Sequence, residues 1–209
     1  MRRALAAIAL TAVAACSPGV DEPRPVVAGS GPPVVLPGEP GSSGTVATPG
    51  QTLGTYGAEV SAADVRFAEG MVGHHRQALE MTGLVPDRAS DARVKALAGR
   101  ITAAQQPEIK VLTGWLTRLG REVPAGHAHM SGYGMASLAE MNRLREERGA
   151  AFDALFLKLM IRHHEGALEM AGEQLKEGRD RLMKTLAMDI VSGQQIEIGR
   201  MRSILNAPG

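Results

Sequence analysis

Two copies of one short motif bring together the residue types best suited to metal chemistry. Met71 precedes the pair His74-His75 by three residues, and Met160 precedes the pair His163-His164 by the same spacing. Residues three or four apart share one face of a helix, and thioether together with imidazole is a ligand set that suits copper. The motifs therefore predict binding of a copper ion, as Cu(I) or Cu(II), or of a similar soft metal.

The remaining two histidines form another candidate group between the motifs. His127 and His129 lie in a Gly-rich stretch, and Met130 follows directly. A flexible backbone can fold around an ion, so we predict that these three side chains are metal ligands as well. Magnesium and calcium prefer oxygen ligands, which this group does not supply.

The spacing of apolar residues around each motif predicts a helix whose inner face carries the first histidine. Steps of four and three residues place two equivalent sets on such faces: Phe67, Met71, His74, Ala78 and Met81, and Phe156, Met160, His163, Ala167 and Met170. We thus expect His74 and His163 in the core, with His75 and His164 on the flank of this seam.

Ordinary core packing is the competing interpretation. Met81 and Met170 are more typical of core side chains than of ligands, and a buried histidine is often satisfied by Gln or Glu. We expect the first helix to stop before Pro86. Reflecting it onto the second helix about a turn near residue 87 leaves Glu108 about 12 Å beyond His74, at ~1.5 Å per residue. Glu108 is therefore not expected to share an ion with the histidines of its own hairpin.

From residue 61 onward the chain contains an internal repeat whose offset is 89 residues, the difference between positions 74 and 163. The repeat units, about 61–119 and about 150–208, each have the pattern of two long helices that cannot bury an apolar stripe alone. Ser137 and Glu140 form a capping-box pattern, which predicts a short helix near 137–148. We predict an all-α four-helix bundle of two duplicated helical hairpins over residues 61–209.

The N-terminal part of the chain predicts export and membrane attachment. Basic Arg2 and Arg3 precede an apolar stretch too short to span a bilayer, so residues 1–15 are interpreted as a signal peptide. Residues 13–16 resemble a bacterial lipobox, and Cys16 is predicted to be lipidated. Residues 16–60 are rich in Pro, Gly, Ser and Val and are predicted to be a disordered tether.

Composition and missing motifs narrow the classes of function. The formal net charge of +1 shows no basic footprint for nucleic acid, and an aromatic content of 3% favours helices over sheets. No Ser-His-Asp arrangement, phosphate loop or partnered cysteine nucleophile is recognisable in the sequence. We therefore expect a binding protein without catalytic residues.

The two motifs resemble the domain-of-unknown-function 305 family. The resemblance covers about residues 60–205 and rests on the pattern Met-x-x-His-His-x-x-Ala-x-x-Met, which begins at Met71 and again at Met160, followed in each unit by Gln-x-x-Glu. It implies a ferritin-like four-helix bundle and, from exported members linked to copper tolerance, copper binding. This implication carries over onto Met71, His74, His75, Met160, His163 and His164, and more loosely onto Met81 and Met170.

The sequence thus predicts a lipoprotein of the cell envelope, facing the periplasm or the exterior, that binds copper for buffering or tolerance. Its expected partners are the metal ion and, through Cys16, the membrane. One alternative is a metal-free helical scaffold that binds another envelope protein or a second copy of itself. Another is a ferritin-like di-metal oxidase, although no complete carboxylate set is visible.

Overall fold

The computed structural model describes residues 24–27, 29, 35–36, 45–56, 60–123 and 132–207. The chain divides into two compact units, Met1–Gly57 and Ala58–Gly209. The predicted signal peptide and its Cys16 lie outside the described residues, as do His127, His129 and Met130.

The described residues of the first unit include four short strands: β1 (Arg24–Val27), β2 (Val35–Leu36), β3 (Thr45–Val46) and β4 (Thr52–Tyr56). Strand β1 pairs with β4 and β2 pairs with β3, both antiparallel. Many of these positions hold Val or Thr, whose branched side chains favour extended backbone. The strands lie within the range that the composition predicts to be a tether, and the tether itself stays a prediction.

The second unit is helical over its described residues, and the predicted all-α class is confirmed. Its helices are α1 (Ala62–Arg88), α2 (Ala92–Arg118), α3 (Leu138–Glu146), α4 (Gly149–Glu177) and α5 (Arg181–Leu205). Helix α1 packs on α2 and α4 packs on α5, while α1 and α4 form the main contact between the two pairs. The short helix α3 begins with the predicted capping box of Ser137 and Glu140. None of the described helices combines the length and apolar character needed to cross a membrane.

Helix α1 extends past the point at which Pro86 was expected to end it. Pro86 lies in the last turn, and the helix continues to Arg88. A proline removes one backbone donor, but its fixed φ is compatible with helix, and the N–H of Ala89 still bonds to the carbonyl of Val85. The turn between α1 and α2 is consequently centred about residue 90 rather than 87.

A buried aspartate near the start of each hairpin accepts hydrogen bonds from the backbone of the turn in the other hairpin. Asp64, near the start of α1, accepts hydrogen bonds from the backbone N–H groups of residues 179 and 180 between α4 and α5. Asp153, near the start of α4, accepts from the N–H groups of residues 90 and 91 between α1 and α2. These two contacts are separated by the repeat offset, and they hold α1 and α4 in a defined register.

The apolar core consists of two clusters on either side of a polar layer. One cluster joins the C-terminal half of α1 to the N-terminal half of α4 and includes Ala78, Met81, Val85, Phe152, Phe156 and Met160. The other joins the opposite halves and includes Phe67, Met71, Val72, Ala167, Met170 and Ala171. The histidine pairs of both motifs lie between these clusters, at the middle of the antiparallel α1–α4 contact.

Candidate metal centre

The four motif histidines meet in one layer at the interface of α1 and α4. The ring centroids of His74 and His163 are 3.7 Å apart, and the ring planes are inclined by 32°. His75 lies with its ring centroid 6.5 Å from that of His74, and His164 lies 6.3 Å from His163. All four residues are fully buried. The two motifs therefore form a single cluster, and His75 and His164 are buried more deeply than their flank positions indicated.

Each flanking histidine is paired with a glutamate, and one of the two, Glu108, was expected to lie too far along its helix for such a contact. The Nε2 atom of His75 lies 2.6 Å from Oε2 of Glu108, and Nε2 of His164 lies 2.8 Å from Oε2 of Glu197. The expected separation was wrong because α1 continues through Pro86, which moves the centre of the hairpin turn. With the turn centred at residue 90, His75 lies opposite about residue 105 of α2. Glu108 is then about three residues, roughly 4.5 Å, farther along the helix, and the two long side chains span this distance.

Hydrogen bonding fixes the proton position on three of the four rings. The backbone carbonyl of Tyr133 accepts a bond of 2.9 Å from Nε2 of His74, as the glutamates do from His75 and His164. Because these oxygens can only accept, each neutral ring carries its proton on Nε2 and a lone pair on Nδ1. These three Nδ1 atoms, and both ring nitrogens of His163, are buried without a hydrogen-bond partner of acceptable geometry. Buried lone pairs of this kind are available to coordinate a metal ion.

Burial keeps the central histidine pair neutral. Desolvation lowers the pKa of His74 to about 3; the hydrogen bond to the Tyr133 carbonyl opposes this, and the neighbouring histidines add to it. Burial likewise holds the pKa of His163 well below its ordinary value, with a further contribution from His74. Neutral imidazole is the form that binds metals, so this pair needs to lose no proton before coordination at neutral pH.

Buried methionines lie on both sides of the histidine layer. Met71 belongs to the same apolar cluster as Met170, and Met81 to the same cluster as Met160. All four side chains are buried. Each side of the layer thus holds one thioether from α1 and one from α4.

The side chains in and beside the histidine layer offer a particular combination of metal-ligand types. Among the residues that the structure describes, no three or more His, Cys, Asp and Glu side chains are grouped so as to hold a metal ion. Thioether sulfur is outside that set, and the buried methionines beside the layer add it to the imidazoles. Such a combination fits a soft ion such as Cu(I) and not a hard one. The roles of His127, His129 and Met130 stay predictions.

A strap formed by residues 132–136 covers the histidine layer on one side. Gly132, Tyr133 and Gly134 have φ angles of 97°, 43° and 68°, and the two glycines allow this left-handed backbone at low cost on either side of Tyr133. The strap lies so close to α4 that a Cβ atom at Gly166 would be 1.6 Å from the Tyr133 carbonyl oxygen. The carbonyl that bonds His74 is therefore set by backbone-to-backbone packing.

Side chains from both motifs also anchor the strap. Gln77 donates to the carbonyl of Ala136 at 2.8 Å and accepts from its N–H at 2.7 Å. Arg162 donates to the carbonyl of Gly134 and forms an ion pair with Glu140. Sequence reasoning missed the strap, although a signal existed. The motif copies differ at the equivalent positions 77 and 166, and both of these residues contact it.

Known proteins resemble the helical unit in sequence and in fold. Residues 64–205 match the family described as Domain of unknown function (DUF305). The chain is similar to the crystal structure of a DUF305 protein from Streptomyces coelicolor described as secreted, with 33% identity, a TM-score of 0.63 and coverage of 68% of this chain and 91% of that one. For a DUF305 fragment from Deinococcus radiodurans the identity is 32%, the TM-score 0.64 and the coverage 70% and 97%.

A third similar structure is CopM in its Cu(II)-bound form. It is 30% identical, with a TM-score of 0.61 and coverage of 68% of this chain and 95% of CopM. Structures of CopM in Cu(I)-bound and Ag-bound forms are similar to the chain as well. A search of curated proteins finds no significant match.

Proposed function

Because the chain belongs to the DUF305 family, we propose that its helical unit binds copper through the layer of four buried histidines and the methionines beside it. The observation that carries the proposal is the close pair of His74 and His163, whose unpartnered nitrogens lie between two thioether pairs. Structures of CopM, at 30% identity, with Cu(II), Cu(I) and Ag support copper as the ion.

The proposed ligands differ in how far they lie from the centre of the layer. His74 and His163 hold the ion at the centre, His75 and His164 lie next to them, and Met71 and Met160 supply thioether from the preceding turns of their helices. Met81 and Met170 lie about two turns beyond these histidines, in the apolar clusters beside the layer, and are the looser members of the proposed set. Because the histidines are fully buried, water is excluded from the ion, which suits retention of copper better than rapid exchange.

We place this activity at the cell envelope, with the helical unit facing the periplasm or the exterior. The lipobox-like stretch ending at Cys16 supports attachment through a lipid, and a relative described as secreted supports export. Copper bound there is kept from other envelope components, so the protein buffers copper and contributes to tolerance of it.

Anaerobic titration of the purified chain with Cu(I), against a competing chelator, tests the proposal. We expect saturable, sub-micromolar binding that is lost when His74 and His163 are both replaced by Leu, which fills the same space without a ligand atom. Replacing His127 and His129 by Ala should leave this binding in place. The reverse pattern would move the site to the Gly-rich stretch, and circular dichroism verifies that each variant keeps its helices.

A metal-free scaffold is the second candidate, and one observation favours it. His74, His75 and His164 each already have a hydrogen-bond partner in the protein, as core histidines of purely structural role do. Failure of the wild-type chain to bind Cu(I), Cu(II) or Zn(II) would favour the metal-free scaffold over the copper-binding protein. A di-metal oxidase is not proposed, because Glu108 and Glu197 are each hydrogen-bonded to a histidine.

A further inference from the structure

Two carboxylates reach the histidine layer from the outer helices. Glu108 on α2 and Glu197 on α5 occupy equivalent positions of the repeat, and each contacts the second histidine of the motif in its own hairpin. Their side chains are mostly buried, at 21% and 10% exposure, whereas the histidine side chains that they contact are fully buried. The same pair of residue types therefore recurs in both halves of the bundle, with Glu197 somewhat more buried than Glu108.

We infer that Glu108 and Glu197 are positioning residues, which accept the Nε2–H of His75 and His164 and thereby present the Nδ1 atoms of these rings to the metal ion. The inference deepens the proposed function and rests on it. It assigns the ligand atom on each flanking histidine and gives a role to two residues that lie outside the Met-His motif.

The tautomer argument follows from the chemistry of imidazole. A neutral ring carries one proton, and without a partner either nitrogen can hold it. A hydrogen bond to a buried carboxylate is charge-assisted, and it favours the Nε2–H form by roughly tenfold or more. The lone pair is then confined to Nδ1, which is buried and unpartnered in both His75 and His164.

Charge gives a second, independent reason for carboxylates at these positions. The layer itself consists of imidazoles, and the two central ones are held neutral by burial. A cation in such surroundings is poorly solvated unless negative charge lies close by. Glu108 and Glu197 supply that charge through the rings of His75 and His164, and a carboxylate behind an imidazole also strengthens the imidazole as a ligand.

Nitrogen-15 NMR of the metal-free chain and Cu(I) competition together test the inference. In the wild type we expect a pyrrole-type Nε2 and a pyridine-type Nδ1 for both His75 and His164. In Glu108→Ala we expect His75 to become a mixture of tautomers while His164 is unchanged, and Cu(I) affinity to fall about 10- to 100-fold. Glu197→Ala should give the mirror result.

Two further variants separate positioning from folding. Glu108→Gln keeps an amide oxygen that can accept from Nε2–H, so it should restore most of the tautomer preference and part of the affinity. Glu177→Ala removes a carboxylate from an exposed ion pair with Arg66 and should alter neither readout. If Glu108→Ala loses its helices, the comparison of Glu108→Gln with the wild type decides the matter through the same two readouts.

The possible results are distinct. Wild-type binding of Cu(I) with unchanged tautomer or unchanged affinity in Glu108→Ala overturns the inference and leaves the proposed function standing. Absence of Cu(I) binding by the wild type overturns the proposed function, and the inference with it. Loss of both the tautomer preference and the affinity in Glu108→Ala, with partial rescue by Gln, supports the inference.

Discussion

Replacing Gly166 by Ala tests whether the strap over the histidine layer is set by close packing on α4. The added Cβ would lie 1.6 Å from the Tyr133 carbonyl oxygen and 2.0 Å from its carbon, whereas ordinary contacts begin near 3.4 Å. The strap backbone must therefore retreat by about 1.8 Å, the difference between 3.4 and 1.6. A hydrogen bond of 2.9 Å between His74 and this carbonyl does not survive such a shift.

The expected cost follows from what is lost. A buried Nε2–H of His74 without a partner costs about 1–3 kcal/mol, and the two bonds between Gln77 and Ala136 are weakened as well. The higher helix propensity of alanine opposes this by about 1 kcal/mol. We expect the Gly166→Ala variant to be less stable than the wild type by about 1–3 kcal/mol in urea unfolding of the metal-free chain.

A matched control is present on the same helix. Gly172 is exposed, and a Cβ there meets nothing within 4 Å, so Gly172→Ala should stabilise the chain by up to about 1 kcal/mol. Equal stability changes in the two variants would refute the reasoning, because helix propensity alone would then account for both.

Two further predictions concern the buried Asp64 and the proposed ligand Met71. Burial raises the pKa of Asp64, but hydrogen bonds led by those from Gln174 and Ser61 outweigh it and lower the pKa from 3.8 to about 2. The stabilisation from Asp64 is therefore present above about pH 4 and lost as the pH falls towards 2. In urea unfolding, Asp64→Asn should lower the free energy of unfolding by roughly 1–2 kcal/mol at pH 6 and by almost nothing near pH 2. A difference that does not depend on pH would count against this prediction. Met71→Leu should lower Cu(I) affinity at least tenfold in a chelator competition and change the free energy of unfolding by less than about 1.5 kcal/mol. The core variant Met183→Leu should leave the affinity unchanged, and equal affinities of both variants would remove Met71 from the ligand set.

Much of the helical unit was readable from the sequence because its determinants are local. The 3.6-residue period predicted that His74 and His163 point into the core, and both are fully buried. The capping pattern at Ser137 predicted the start of α3. Such features depend on residues a few positions apart, and these are on the same or adjacent turns in any packing.

The position of the hairpin turn was not readable with the same accuracy. Pro86 indicates a helix end in general, yet in the last turn of α1 it costs only one backbone bond and the helix continues. An error of about three residues in the centre of the turn shifts the expected register of the opposite helix by about six residues, roughly 9 Å, which hid the contact of His75 with Glu108. The end of a helix is set by nearby residues, but an error in its position changes which side chains of the partner helix lie opposite each residue.

Residue order and spacing were enough to predict the helical repeat, the inward face of each motif and the soft-metal character of its side chains. Tertiary packing, in contrast, brings the two motifs into one layer, places Glu108 and Glu197 against their histidines, and lays a strap over the layer. The strap also explains why the motif copies differ, above all why Gln77 in the first copy corresponds to Gly166 in the second. A single strap crosses a nearly symmetric pair of helices, and each helix must meet it with a different residue.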